Sequence, residues 1–111
     1  MKSQISVLKN SLSGDLLDGK FDNGRYSTDA SIYQIMPEAV ILPKNIEDIK
    51  KTIQFSQEYN IPILPRGGGT SQNGQTVNRA IVLDNSKYLN KIIEVDVKNQ
   101  TCLVEPGVVL D

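Results

Sequence analysis

The sequence predicts an α+β fold in which a βαβ unit is followed by antiparallel strands. Two observations carry this. The apolar runs Ala39–Leu42 and Ile61–Leu64 flank a stretch with helical spacing and join it through a few residues, the layout of a parallel crossover unit. Further on, Leu89, Ile93, Val95 and Val97 can face one way while Glu94, Asp96 and Lys98 face the other, which suits a strand with one side in solvent.

The elements follow in order. Residues 1–18 carry Ile5, Leu8, Leu12 and Leu16, a spacing that predicts an amphipathic helix ended by Asp18-Gly19. Residues 19–24 are turn chemistry. Arg25 to Pro37 is rich in hydroxyls yet too apolar for a free linker, so it is expected to lie against a surface; Tyr26, Asp29 and Tyr33 are its candidate ligand contacts. Ala39–Leu42 reads as a buried strand closed by Pro43. Asn45 suits a helix N-cap with Glu47 and Asp48 in the first turn. Ile46, Ile49 and Ile53 form the expected apolar stripe of that helix; Phe55 falls off it, and Glu47, Asp48 and Glu58 read as solvated surface. Asn60 suits the left-handed C-terminal position, and Pro62 prevents continuation. The strand at 61–64 is expected to neighbour the first in parallel. A third strand, Ala80–Leu83, stops at Asp84-Asn85-Ser86. Lys98-Asn99-Gln100 is a hairpin turn, Thr101–Val104 returns, and a new strand begins at Val108. Cys102 is expected to be a buried, inert thiol. Residues 1–24 thus read as a helical lead-in and 25–111 as one domain, cut short within an apolar run.

The 111 residues carry a formal charge of -1, with 12 Lys and Arg against 13 Asp and Glu, so composition offers no polyanion-binding footprint and no nucleic-acid partner is expected. The single cysteine excludes an internal disulfide and suits a reducing compartment. Residues 1–10 hold no long apolar run, so no signal peptide is expected, and no stretch has the ~20 apolar residues of a membrane span. The expected location is the cytoplasm, free or at the inner face of the membrane. Histidine is absent, which excludes His-based catalysis and His metal sites within this chain. No Ser or Thr has a base at motif spacing, so neither a catalytic nor a metal-ligating residue is assigned.

The chemistry-bearing stretch is Pro65-Arg66-Gly67-Gly68-Gly69-Thr70-Ser71 at the end of the second strand. Three consecutive glycines cost folding entropy; in return the backbone can take positive φ and a ligand can approach without a Cβ in the way. Successive N–H groups in such a turn can form an anion-binding nest, beside which Arg66 places a permanent forked cation. No Lys-Ser/Thr pair follows a Walker spacing. A Rossmann fingerprint would run straight into a helix, whereas Gln72 to Thr76 continues as polar, irregular backbone toward a strand. The loop therefore reads as a cradle for a phosphate-bearing cofactor with no helix behind it.

Pro65 to Gln75 resembles the pyrophosphate loop of FAD-linked oxidases of the vanillyl-alcohol oxidase and p-cresol methylhydroxylase type. Ala39 to Lys44 with Ile46 to Ile49 resembles that family's strand and helix opening, and Glu105-Pro106-Gly107-Val108 its later Pro-Gly element. Arg25 to Tyr33 is similar to the lead-in of the D-lactate, glycolate and D-2-hydroxyglutarate dehydrogenase branch, whose long bacterial members often carry iron–sulfur domains downstream. The resemblance implies a two-subdomain FAD-binding domain, of which this chain would supply the first subdomain and the start of the second. It implies that Arg66, Gly67, Gly68, Gly69, Thr70 and Ser71 bind the FAD diphosphate, mainly through backbone N–H groups, with Pro65 beside them in the cofactor-binding loop. Gly74 and Gln75 would lie near the flavin or ribityl part, and Pro106 and Gly107 would approach from the other side. Thr70 stands where some members carry a flavin-linked histidine, which implies noncovalent FAD. The implied function is a flavin-dependent oxidoreductase acting on a small D-2-hydroxy acid, inactive as this piece alone, with self-association through exposed strand edges a further expectation. Two alternatives are a flavin reductase of cell-wall precursor synthesis and a non-catalytic domain with a purely structural glycine turn. The Arg66–Ser71 and Tyr26–Asp29 segments argue against the first.

Overall fold

The structure, a computed structural model, describes residues 2–19, 24, 26–27, 37–70 and 80–109. Helix α1 (Lys2–Ser11) leads into strand β1 (Asp15–Leu17), then β2 (Ala39–Leu42), helix α2 (Ile46–Tyr59), β3 (Ile63–Arg66), β4 (Ile81–Asp84), β5 (Ile92–Asp96) and β6 (Thr101–Val104).

The N-terminal helix is shorter than its apolar spacing predicts. It ends at Ser11, whose hydroxyl donates back to the Leu8 carbonyl at 2.7 Å, and the chain turns at Ser13-Gly14 into β1. Leu16 still reaches the core, but from a strand: β1 pairs antiparallel with β2, Leu16 opposite Ile41. A helical period and a helix–turn–strand path place Leu8 and Leu16 in the same apolar cluster, so spacing alone does not separate them.

The main sheet has the order β1-β2-β4-β3. Strands β2 and β3 are parallel, as expected, but they are not neighbours; β4 lies between them and pairs in parallel with both. Burial and proline explain the order. Every residue of β2 and of β4 is buried, which suits central positions covered on both faces. Strand β3 carries Pro65, which has no N–H to donate and belongs at an edge. One face of the sheet packs Ala39, Ile41, Ile81 and Leu83 against Leu8 and Phe55 of the helices. The other gathers Val40, Leu42 and Val82 under Tyr26 and Tyr88.

The caps of α2 form as expected. Asn45 Oδ1 accepts from the Asp48 N–H at 2.9 Å, and Asn60 takes the left-handed conformation with φ 54°. The buried face does not follow the isoleucines. Asp48, Thr52 and Phe55 are buried, whereas Ile46 is 68% and Ile53 43% exposed. Asp48, 1% exposed, is a latch rather than solvated surface. Its carboxylate accepts from the backbone N–H of Ser13 (2.8 Å), Gly14 (2.8 Å) and Lys44 (2.9 Å). These bonds hold the α1–β1 turn and the β2–α2 turn to the first turn of the helix. Thr52 Oγ1 donates to the Asp48 carbonyl at 2.8 Å, and Phe55 packs on Tyr59 with ring centroids 4.6 Å apart.

Strands β5 and β6 form a separate two-stranded antiparallel sheet. Its turn is as expected, with Gln100 at φ 55° and Asp96 accepting from the Asn99 backbone and side chain at 3.1 and 2.8 Å. The expected one-sided burial is absent: Val95 is 64% and Leu103 57% exposed. Cys102 is exposed as well, contrary to expectation. Alternation predicts a covered face only where another layer exists to cover it, and none of the described residues packs over the hairpin strands. No helix among the described residues is long and apolar enough to cross a membrane.

Candidate functional site

Strands β2, β4 and β3 run in parallel, so their carboxyl ends share one edge of the sheet, the edge where open α/β sheets take ligands. The register sets Arg66 opposite Asp84. The Asn85 N–H donates to the Arg66 carbonyl at 3.0 Å, which extends the β3–β4 ladder past the last paired residues. The glycine loop leaves this edge at Gly67, with residues 84–86 beside its base.

The three glycines serve two purposes. Among the described residues, a Cβ on Gly67 would meet nothing within 4 Å, and one on Gly68 only the Thr70 methyl at 3.7 Å. No described residue requires a glycine at either position, and both leave bare backbone of the kind a ligand could approach. Gly69 differs. It is left-handed at φ 70°, and a Cβ on it would lie 2.5 Å from the Arg66 guanidinium. The expected positive φ is thus confined to this glycine within Gly67–Gly69.

Arg66 is folded over its own loop. Its guanidinium lies 5.2 Å from the Tyr26 ring centroid and donates through Nη1 to the Tyr26 carbonyl at 3.2 Å. Tyr26 in turn donates its phenol proton to Asp84 Oδ2 at 2.5 Å. The other carboxylate oxygen accepts from the Ser86 N–H at 2.9 Å and the Ser86 hydroxyl at 2.6 Å. Asn85 next to it is 7% exposed, and its Oδ1 has no hydrogen-bond partner among the described residues.

The Pro106-Gly107 element reaches the same turn. The Gly107 N–H donates to the Leu89 carbonyl at 2.7 Å. A Cβ on Gly107 would collide with the Asn85 carbonyl oxygen and come within 2.6 Å of that of Leu89. Gly107 is buried and Pro106 exposed. A Gly107→Ala variant is expected to lose about 1–3 kcal/mol of stability, because the blocking atoms are backbone and cannot rotate aside; urea unfolding of variant and parent checks it.

Of the predicted site residues, Pro65, Arg66, Gly67, Gly68, Gly69 and Thr70 lie at one strand edge, and Gly107 joins them through the Asn85–Leu89 turn. Ser71, Gly74 and Gln75 lie outside the described residues, as do Asp29 and Tyr33. Sequence reasoning missed Asp84 and Asn85, reading them as a strand stop. Their signal was position: two polar residues closing an all-apolar strand, in a chain whose glycine loop closes another. A groove of about 420 Å³ between α1 and α2, lined by Val7, Leu8, Phe55 and Tyr59, includes none of the loop residues. Among the described residues no cluster of Cys, Asp and Glu could hold a metal ion.

The bare glycine positions and the adjoining guanidinium fit a cofactor that presents a diphosphate, as FAD does. Similarity to known proteins points the same way. The family described as FAD binding domain matches residues 37–111. The chain is 38% identical over 101 residues to D-2-hydroxyglutarate dehydrogenase of Pantoea ananatis, covering 88% of this chain and 10% of that protein. It is 42% identical over 87 residues to glycolate oxidase subunit GlcD of Bacillus subtilis, covering 76% of this chain and 18% of that one. The chain therefore spans about a tenth of the length of the first of these relatives. Among solved structures, alkyldihydroxyacetonephosphate synthase superposes with a TM-score of 0.78 at 23% identity, over 97% of this chain and 24% of that one. p-Cresol methylhydroxylase superposes at 0.74 and 22% identity, over 96% and 22%. At these identities the likeness is one of fold. The matched segment opens just before the first parallel strand and contains the whole glycine loop and the hairpin, and the chain belongs to the family of FAD-binding domains.

Proposed function

We propose that this chain is the FAD-binding N-terminal part of a flavin-dependent oxidoreductase that converts a small D-2-hydroxy acid to the 2-oxo acid. Residues 25–111 would be the start of its FAD-binding domain and residues 1–24 a lead-in. The observation that carries the FAD reading is the bare backbone at Gly67 and Gly68 beside Arg66, which no described residue closes off. The hydroxy-acid reading is supported by relatives 38% and 42% identical to this chain, a D-2-hydroxyglutarate dehydrogenase and a glycolate oxidase subunit.

In this reading the backbone of Gly67 to Ser71 takes the diphosphate and Arg66 balances its charge. Gly74, Gln75, Pro106 and Gly107 border the rest of the cofactor. When bound, noncovalently, FAD supplies the acceptor for a hydride equivalent from the hydroxy acid. Groups that bind substrate and take up the hydroxyl proton come from chain beyond this segment, as would any iron–sulfur domain. The segment alone is expected to be inactive, with the edges of the β5–β6 hairpin, unpaired among the described residues, favouring self-association. We place the protein in the cytoplasm, free or at the inner face of the membrane.

The test is anaerobic mixing of the purified, flavin-loaded full-length protein with D-lactate, glycolate, D-2-hydroxyglutarate and, as control, L-lactate. Bleaching of the flavin absorbance by at least one of the first three, and not by L-lactate, is expected. Loaded protein that none of them bleaches would exclude the hydroxy-acid reading. Colourless protein that takes up no added FAD would exclude the cofactor reading.

A further inference from the structure

The lead-in around Tyr26 and the strand end at Asp84 have no part in the function proposed above, yet they meet at the base of the glycine loop. Tyr26 is held at several points. Its ring packs with Val40, Leu42 and Val82 on the second face of the sheet. Its backbone is set by the Ser27 turn, in which the buried Ser27 hydroxyl donates to the Gly24 carbonyl at 2.7 Å. Its phenol reaches Asp84 Oδ2 at 2.5 Å. Asp84, 6% exposed, is fixed by Ser86 on its other oxygen. What Tyr26 then offers Arg66 is a ring face and a carbonyl, both in use. The guanidinium so placed lies where a Cβ on Gly69 would be.

We propose that Tyr26 and Asp84 are positioning residues for the loop: they preset Arg66 over Gly69, in the arrangement that receives the cofactor diphosphate. The inference rests on the reading that this loop binds FAD. An arginine side chain is otherwise among the most mobile, and fixing it on binding costs affinity. Stacking on a rigid, packed phenol removes that cost beforehand, because a guanidinium held over an aromatic face keeps its fork directed. The arrangement also separates charges. Asp84 is an anion close to a site for an anionic group, and its oxygens are occupied by Tyr26 and Ser86 rather than directed at the loop.

The test measures FAD dissociation constants by titrating apo-protein of full length and following flavin fluorescence. Tyr26→Phe keeps the ring and loses the bond to Asp84; it is expected to weaken FAD binding about tenfold, the scale of one hydrogen bond to a charged group. Asp84→Asn should act in the same direction. Tyr26→Leu, which also removes the stacking face, should weaken binding about a hundredfold. In an Arg66→Ala background the effect of Tyr26→Phe should fall below about twofold, since the two side chains act through one contact. Tyr26→Phe also leaves the buried Asp84 Oδ2 without its donor, so the apo-protein melting temperature is expected to fall by a few degrees in both the parent and the Arg66→Ala background. An equal effect of Tyr26→Phe on FAD affinity in both backgrounds, or no effect in either, would overturn the positioning role. Gly68→Val, measured in parallel, separates the two readings. If it is colourless while Tyr26→Phe binds FAD like the parent, only the positioning role fails. If it retains FAD, the loop reading fails first.

Discussion

Replacing Gly68 by valine is expected to leave the domain folded and to strip it of FAD. The two halves of that result have separate causes. Among the described residues a Cβ at Gly68 would touch only the Thr70 methyl, at 3.7 Å, and its φ lies outside the left-handed region, so the substitution introduces no clash with them and no backbone strain. Apo-protein melting temperature should be unchanged within a few degrees. Binding is another matter. Backbone N–H donors reach an anion at about 2.9 Å, and a branched side chain projecting from the same surface occupies the volume the anion needs. FAD affinity should fall by at least about a hundredfold, or ~2.7 kcal/mol, and the purified full-length variant should be colourless. Gly68→Ala should fall between valine and parent. A yellow, FAD-loaded Gly68→Val protein would refute the assignment of the loop.

Removing the Asp48 carboxylate is expected to be strongly destabilising. Asp48→Ala leaves the N–H groups of Ser13, Gly14 and Lys44 without their acceptor, and Gly14 sits too close to the Leu42 carbonyl for the turn to rearrange easily. A loss of about 2–4 kcal/mol is expected, a large share of the 5–15 kcal/mol typical of a domain. The ionisation of Asp48 carries a second signature. Burial by itself would raise its pKa, but the bonds from Lys44, Ser13 and Gly14 outweigh burial and hold it below the ordinary carboxylate value. A carboxylate with a depressed folded-state value stabilises the fold fully above its unfolded value of about 4 and loses that contribution as pH falls through the folded value. Urea unfolding at about pH 7 and about pH 3 should therefore show a smaller acid-induced loss in Asp48→Asn than in the parent. An equal loss in both would remove Asp48 from the acid response.

Asp48 also illustrates where sequence reading stops. In the sequence it is one more acidic residue in the first turn of a helix, and that reading accounts for the cap with Asn45. What it cannot supply is the partner 35 residues away, because nothing local records that the α1–β1 turn comes back to this helix. The stripe of Ile46, Ile49 and Ile53 misled for the same reason: which face of α2 is buried depends on what docks against it, and here backbone donors claim that place. Cys102 and the hairpin repeat the lesson in reverse, since an alternating strand implies a covering layer that the described residues do not provide.

The sequence by itself determined the pieces whose causes are local. These are the caps of α2 at Asn45 and Asn60, the hairpin turn at Gln100, the apolar runs that become β2 and β4, and the left-handed glycine at the end of Gly67–Gly69. Each follows from backbone freedom, hydrogen bonds within a few residues, or unbroken apolar character. Only the tertiary structure decided the insertion of β4 between β2 and β3, the strand path of Leu16, and the meeting of Arg66 with Tyr26, 40 residues away, and through it with Asp84. Those depend on strand pairing and burial across the whole sheet: two fully buried strands must take its centre, a strand containing proline takes the edge, and the loop then opens beside Asp84 and Asn85.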